Sequence, residues 1–216
     1  MKIKKILKII YIIIFIYICL FTINLFKKAY IFRKFSKENY QYYKENTNFY
    51  KKISTDNSEV EIWRKENKAV IKEKNFQGQE IKTTYYDENY KYIISNNTVT
   101  KNNTDFLPTV DVCPLYANSY YQALIASLFL KIQNEKINDM NCYKLYTNKD
   151  SFLYKLTIIG DNTISDDKLY IDKDTWLLIK KESENLTQFF EYKMNVVTEK
   201  DVEMPKMHKY ILVDET

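Results

Sequence analysis

The apolar run Ile9–Phe26, IIYIIIFIYICLFTINLF, constrains this chain more than any other feature. Thr22 and Asn24 are its only strongly polar residues. A helix of this length rises ~27 Å at ~1.5 Å per residue, close to the thickness of a bilayer's hydrocarbon layer. Ile6 and Leu7 can extend it while Lys8 snorkels to the headgroups. A cleaved signal would need small residues before the cut, and here the run exits through Asn24-Leu25-Phe26-Lys27-Lys28. Ile18 stands before Cys19, where lipidation wants a small residue. The expectation is an uncleaved transmembrane anchor over residues 1–34, followed by one globular domain over 35–216.

The charge pattern supports that division. The formal net charge is +5, yet Lys2, Lys4, Lys5, Lys8, Lys27, Lys28, Arg33 and Lys34 all precede the first acidic residue. All 28 Asp and Glu fall beyond them, so the domain itself is mildly acidic. A nucleic-acid footprint needs Lys and Arg clustered on one face. Arg33 and Arg64 are the only arginines, and no nucleic-acid partner is expected. Basic residues flank both ends of the run, so positive-inside bias nearly cancels. The short N-terminal segment favours an inside N-terminus, which makes this a single-pass cell-membrane protein with an extracytoplasmic domain.

Beyond the anchor, Ser36 as N-cap and the spacing of Phe35, Tyr40, Tyr43, Thr47 and Tyr50 predict an amphipathic helix over 36–53. From Glu59 the period becomes two. Val60 and Ile62 alternate with acids, and strands follow over Lys68–Lys74, Glu80–Tyr86 and Tyr90–Ser95. Asp87-Glu88-Asn89 and Asn96-Asn97 supply turns. A polar loop over 102–115 leads to a second helix, Asn118 to Gln133, with Asn118 or Ser119 as cap. Its stripe is Tyr121, Leu124, Ile125, Leu128 and Phe129. Strands resume over Asn141–Thr147, Phe152–Ile159, Lys168–Asp172, Trp176–Glu182 and Thr187–Val197, with an edge strand at Lys209–Val213. The aromatic content, 20 Tyr and 12 Phe, suits half-buried strands. The fold class is α+β: one large curved antiparallel sheet with two covering helices, preceded by a transmembrane helix.

Catalytic chemistry is absent from this reading. Gly78 and Gly160, the only glycines, cannot build a phosphate loop. His208 stands alone, no metal-ligand spacing occurs, and no cofactor is implied. Asp166-Asp167 and Asp172/Asp174 read as turn residues. The candidate ligand-pocket residues are the aromatics Tyr85, Tyr90, Tyr92, Phe152, Tyr154, Phe190 and Tyr192, with Leu124 and Leu128 from the helix; plain core packing is the competing reading. Trp63 and Trp176 belong to the opposite phase or to the pocket mouth. Cys113 and Cys142 bracket the second helix. A disulfide between them would close a loop of about 30 residues and contribute roughly 3–4 kcal/mol. Two buried free thiols are the alternative, expected if the domain faces the cytosol.

The order of elements resembles that of the outer-membrane lipoprotein carrier (LolA-like) superfamily. The likeness lies in the N-terminal helix, the strand meander and the inserted helix. It continues through Lys168-Leu-Tyr-Ile-Asp-Lys-Asp-Thr-Trp-Leu-Leu-Ile-Lys180 and Phe189-Phe-Glu-Tyr-Lys-Met-Asn-Val-Val197, and closes on Glu203-Met-Pro205. The resemblance implies a half-open β-barrel whose helices plug a hydrophobic concavity for acyl chains or a partner's apolar segment. The retained membrane helix departs from the soluble carriers and implies a fixed, membrane-anchored Gram-positive relative. A non-enzymatic, membrane-tethered binder of a lipid, lipoprotein or other apolar ligand is expected. The alternative is a protein–protein adaptor or sensor of the cell envelope or spore, using the same sheet.

Overall fold

Alternating side chains need a partner strand on each side, and the computed structural model supplies it almost throughout. It describes residues 2–45, 47–96, 98–103, 117, 119–147, 167–206 and 211–214. The expected strand Phe152–Ile159, together with His208 and Asp166, lies outside the described residues. The strands are β1 (Asn48–Ser54), β2 (Ser58–Lys65), β3 (Lys68–Asn75), β4 (Glu80–Tyr86), β5 (Tyr90–Ser95), β6 (Thr98–Asn103), β7 (Leu130–Ile137), β8 (Met140–Thr147), β9 (Lys168–Asp172), β10 (Leu178–Ser183), β11 (Leu186–Met194) and β12 (Ile211–Asp214). They form one 12-stranded sheet in the order β12-β6-β5-β4-β3-β2-β1-β11-β10-β9-β8-β7. Every pair is antiparallel except β12 with β6. Among the described strands the sheet stays open, with β12 at one edge, as its sequence suggests, and β7 at the other. With two helices, the described residues form an α+β half-barrel.

The first correction concerns residues 36–53. Helix α1 runs unbroken from Lys2 to Glu45, so the anchor and the following helix are one rod. Ser36 is no N-cap; it is buried in mid-helix. Residues 48–54 form a strand, paired to β2 on one side and β11 on the other. β1 therefore joins the N-terminal meander to the C-terminal strands. Tyr and Lys fit either period in so short a window, and pairing on both sides decides for the strand.

The second correction concerns the helix expected to reach Gln133. Helix α2 covers Tyr120–Phe129, and Leu130 turns to extended geometry to open β7. Leu130-Lys-Ile-Gln-Asn-Glu alternates with period two, and its pairing with β8 overrides the helical stripe. Ser119 is the N-cap, with a reciprocal capping box through Gln122 that satisfies two orphan donors. β6 takes up residues whose composition suits turn and loop. The β7–β8 turn carries positive φ at both Asn138 and Asp139, the mirror-image turn that suits strand twist.

α1 would extend ~66 Å, about twice the hydrocarbon thickness, so only half of it can lie in a membrane. Its apolar side chains are exposed up to Phe26, and burial begins at Ala29. Ala29, Phe32 and Phe35 pack with Ala123 of α2 and with Leu130, Leu145, Leu169, Ile171 and Leu178 of the sheet. This is the main core, set on one face of strands β7 to β10. Two details fix α1 there. Lys34 Nζ lies 4.4 Å from the centroid of the Trp176 ring, and the Asn39 side-chain amide donates to the Trp176 carbonyl at 2.6 Å. Among the described residues, α1 contains the one helix long and apolar enough to cross a membrane.

Candidate functional site

Directly paired residues of antiparallel strands point to the same face, so the registers sort every side chain. Tyr192, Lys51, Ile62 and Ile71 form one cross-strand row over β11, β1, β2 and β3. Phe190, Ile53, Phe49, Val60 and Met194 share its face. This is the helix-bearing face, because Phe190 packs against the main core. Further along, Phe49, Ile62, Val60, Ile71, Tyr192 and Met194 make a second apolar cluster, composed, among the described residues, of strand residues alone. The helices are grouped with β7 to β10, and the apolar surface continues past them.

Lys51 sits in that surface at 2% exposure. Its Nζ lies 5.3 Å from the Phe190 ring centroid and 5.8 Å from that of Tyr192. Aromatic faces attract an ammonium and partly offset its loss of water. The expectation of a helix over 36–53 conceals Lys51 from sequence reading. The signal that could have found it is the alternation Phe49, Lys51, Ile53 against Tyr50, Lys52, Ser54.

The opposite face carries a second row: Tyr50, Trp63, Val70, Tyr85 and Tyr92. Tyr50 and Trp63 lie 5.3 Å apart between centroids, and the Tyr50 hydroxyl donates to Glu61 at 2.7 Å. Burial and the Glu61 carboxylate push the Tyr50 phenol well above its usual value. The short 3-10 turn Glu199–Val202 crosses this face, where Val202 packs on Val70, Tyr85 and Trp63. A cleft of about 310 Å³ lies beside it, lined among others by Lys68, Tyr85, Tyr92, Glu199 and Met204. Another of about 260 Å³ is lined by Lys52, Ile137, Met140, Ile179, Phe189 and Phe190. Small-molecule sites run from roughly 300 to 1,000 Å³, so both clefts stand near or below the lower end of that range.

The sheet thus divides the expected pocket lining. Phe190 and Tyr192 stand on the helix-bearing face, and Leu124 packs against the main core there, with Leu128 half-buried on the same helix. Tyr85, Tyr90 and Tyr92 stand on the other face. Tyr90 and Tyr92 are 6.3 Å apart, and Lys101 lies 3.9 Å from the Tyr90 centroid. Phe152 and Tyr154 lie outside the described residues. Tyr85, Tyr90 and Tyr92 therefore do not line one cavity with Phe190 and Tyr192. Trp63 is in the opposite phase to Tyr192, and Trp176 caps the β9–β10 turn beside the main core.

Cys142 is a buried free thiol whose Sγ donates to the Met140 carbonyl at 3.3 Å. Burial pushes its pKa up. Cys113 lies outside the described residues. Asp172 accepts from the Thr175 hydroxyl at 2.6 Å and the Thr175 N–H at 3.0 Å, and Asp167 accepts from Ser183 at 2.5 Å. These carboxylates hold a turn and a strand end. Among the described residues no group of three His, Cys, Asp or Glu is placed to hold a metal.

No protein-family model matches the chain, and no curated protein matches it. Among solved structures it is similar to an uncharacterised conserved protein from Thermus thermophilus, at 12% identity and a TM-score of 0.48, over 83% of this chain and 98% of that one. It is also similar to the lipoprotein LppX of Mycobacterium tuberculosis, at 10% identity and a TM-score of 0.36, over 77% and 96%. A LolA superfamily protein from Nitrosomonas europaea matches at 8% identity and a TM-score of 0.30, over 82% and 98%.

Proposed function

We propose that the chain is a non-enzymatic, membrane-tethered binder of an apolar ligand, a lipid or lipoprotein acyl chain, at the outer side of the cell membrane. The observation that carries this reading is the second apolar cluster on the helix-bearing face. Among the described residues, Phe49, Ile62, Val60, Ile71, Tyr192 and Met194 form an apolar cluster made of strand residues alone. An acyl chain laid on such a surface gains ~0.8 kcal/mol per buried methylene. Residues 1–34 serve as the anchor and 35–216 as the binding domain, with the turn Ala29–Phe32 shared by rod and core.

Native mass spectrometry of the full chain, released from nanodiscs of defined lipid, tests this. A retained lipid adduct that is lost in the Ile62→Asp variant is expected. Absence of any adduct, with the fold intact, would sink the reading. It would favour the adaptor alternative, for which β7 offers an eight-residue strand at the sheet edge.

A further inference from the structure

Helix α2 reads YYQALIASLF and carries no charged side chain. Ala123 and Ser127 are buried, while on the other side Tyr121 is 70% and Ile125 41% exposed. A helix that faces water normally sets charge on that side. This one presents Tyr and Ile.

Its position explains the anomaly. The Tyr120 ring stacks on Phe26 with centroids 6.3 Å apart, and Arg33 lies 5.7 Å from the same ring. At the other end of α2, Lys28 Nζ donates to the Leu130 carbonyl at 3.0 Å. α2 is ~15 Å long, yet both of its ends meet a stretch of α1 that rises only ~10 Å. It therefore crosses α1 instead of running along it. The crossing falls where the exposed apolar run of α1 ends, at Phe26. On the exposed side of α1, Phe26, Tyr30, Arg33 and Lys37 follow at helical spacing, passing from apolar through aromatic to basic. That is the order of side chains met on leaving a bilayer: hydrocarbon, aromatic belt, headgroup charge.

We propose that α2 is an interfacial helix, lying flat in the headgroup layer with Tyr121 and Ile125 turned into the lipid. It is a second membrane contact besides the anchor, and it holds the sheet at a fixed attitude to the surface. Exposed Lys27, Arg33 and Lys37 beside it fit a surface bearing anionic phospholipid. The inference rests on α1 crossing the membrane. The strands that follow α2 run away from that surface. β7 begins at Leu130 beside Lys28 and ends near the β9–β10 turn, which α1 meets through Lys34 and Asn39.

The full chain, reconstituted into phosphatidylcholine and phosphatidylglycerol vesicles with bromine on the upper acyl chain, tests it. Tyr121→Trp and, separately, Ile125→Trp are compared with the parent chain, whose Trp63 and Trp176 supply the background. Lys136→Trp, at the far end of β7, is the control. The added emission of the two α2 variants should be blue-shifted and quenched by bromolipid, and that of Lys136→Trp should be neither. If the chain stays in the vesicles through alkaline washing but the α2 variants are not quenched, α2 does not touch lipid and the proposal is overturned. If the wash removes the chain, the membrane reading itself has failed, and this inference fails with it.

Discussion

Asn39 and Trp176 are 137 residues apart in sequence, yet the Asn39 side-chain amide donates to the Trp176 carbonyl at 2.6 Å. Trp176 adopts φ +61, a left-handed conformation that bulky residues rarely enter. The turn holds it there because the Trp176 N–H donates to the Asp172 carbonyl and the Thr175 N–H donates to the Asp172 carboxylate. One buried amide thus ties helix α1 to the turn that leads into the C-terminal strands.

Asn39 is 2% exposed, and its Oδ1 has no hydrogen-bond partner, while its Nδ2 serves both Phe35 and Trp176. Asn39→Ala should cost about 1–3 kcal/mol in denaturant unfolding, as the Trp176 carbonyl loses its donor. Asn39→Asp should cost more, because a carboxylate has no N–H to give and would face two carbonyl oxygens. An Asp variant as stable as the Ala variant would contradict this geometry.

Glu182 gives the stability a defined acid limb. Burial works to raise its pKa, but Lys180, at 2.5 Å, together with Tyr170 and Lys168 holds it down to about 2. A lowered folded value means that the unfolded chain binds the proton more readily. The stability from this group is complete above the ordinary value of 4.5 and is lost as pH falls from there towards about 2. Glu182→Gln should be less stable at neutral pH and should flatten the decline across that window. Unfolding midpoints measured through the window would show an unchanged slope if the pairing were unimportant.

Cys142 should be inert to iodoacetamide in the folded chain and reactive once unfolded, since its thiol is buried and held protonated. If it reacts on unfolding without reductant, the thiol is free as the structure has it. A requirement for reductant would show a disulfide instead, with Cys113 as the expected partner.

Leu145 anchors the main core between Ile132 and Leu169 on adjoining strands. Leu145→Ala should cost about 2–5 kcal/mol, from lost transfer energy and the cavity left behind. Calorimetry or urea unfolding of the full chain in detergent measures it. A change below that range would mean the site collapses around the smaller residue.

The period-two segments are legible wherever the alternation is clean, as in Lys68–Lys74, Glu80–Tyr86 and Lys168–Asp172. Legibility fails at Asn48–Ser54 and Leu130–Ile137, where a strand follows a helix directly and the first apolar residues fit both periods. In each case tertiary pairing decides: β1 has partners on both sides, and β7 pairs with β8 over its whole length. The ambiguity at Asn48–Ser54 also hides the candidate site. Tyr85, Tyr92, Phe190 and Tyr192 are each recognisable as strand aromatics, but phase within a strand does not say which strands adjoin. The face each side chain takes follows from β1 sitting between β2 and β11, a long-range pairing with no local signal.

In the proposed complex an acyl chain lies on the helix-bearing face over β1 to β3. Photo-crosslinking of the full chain in nanodiscs, with a diazirine-bearing fatty acid and peptide mapping of the adducts, tests it most directly. Adducts at Ile62, Ile71, Tyr192 and Met194 are the predicted result. Adducts confined to Tyr85 and Tyr92, or none above those of the Ile62→Asp variant, would contradict it.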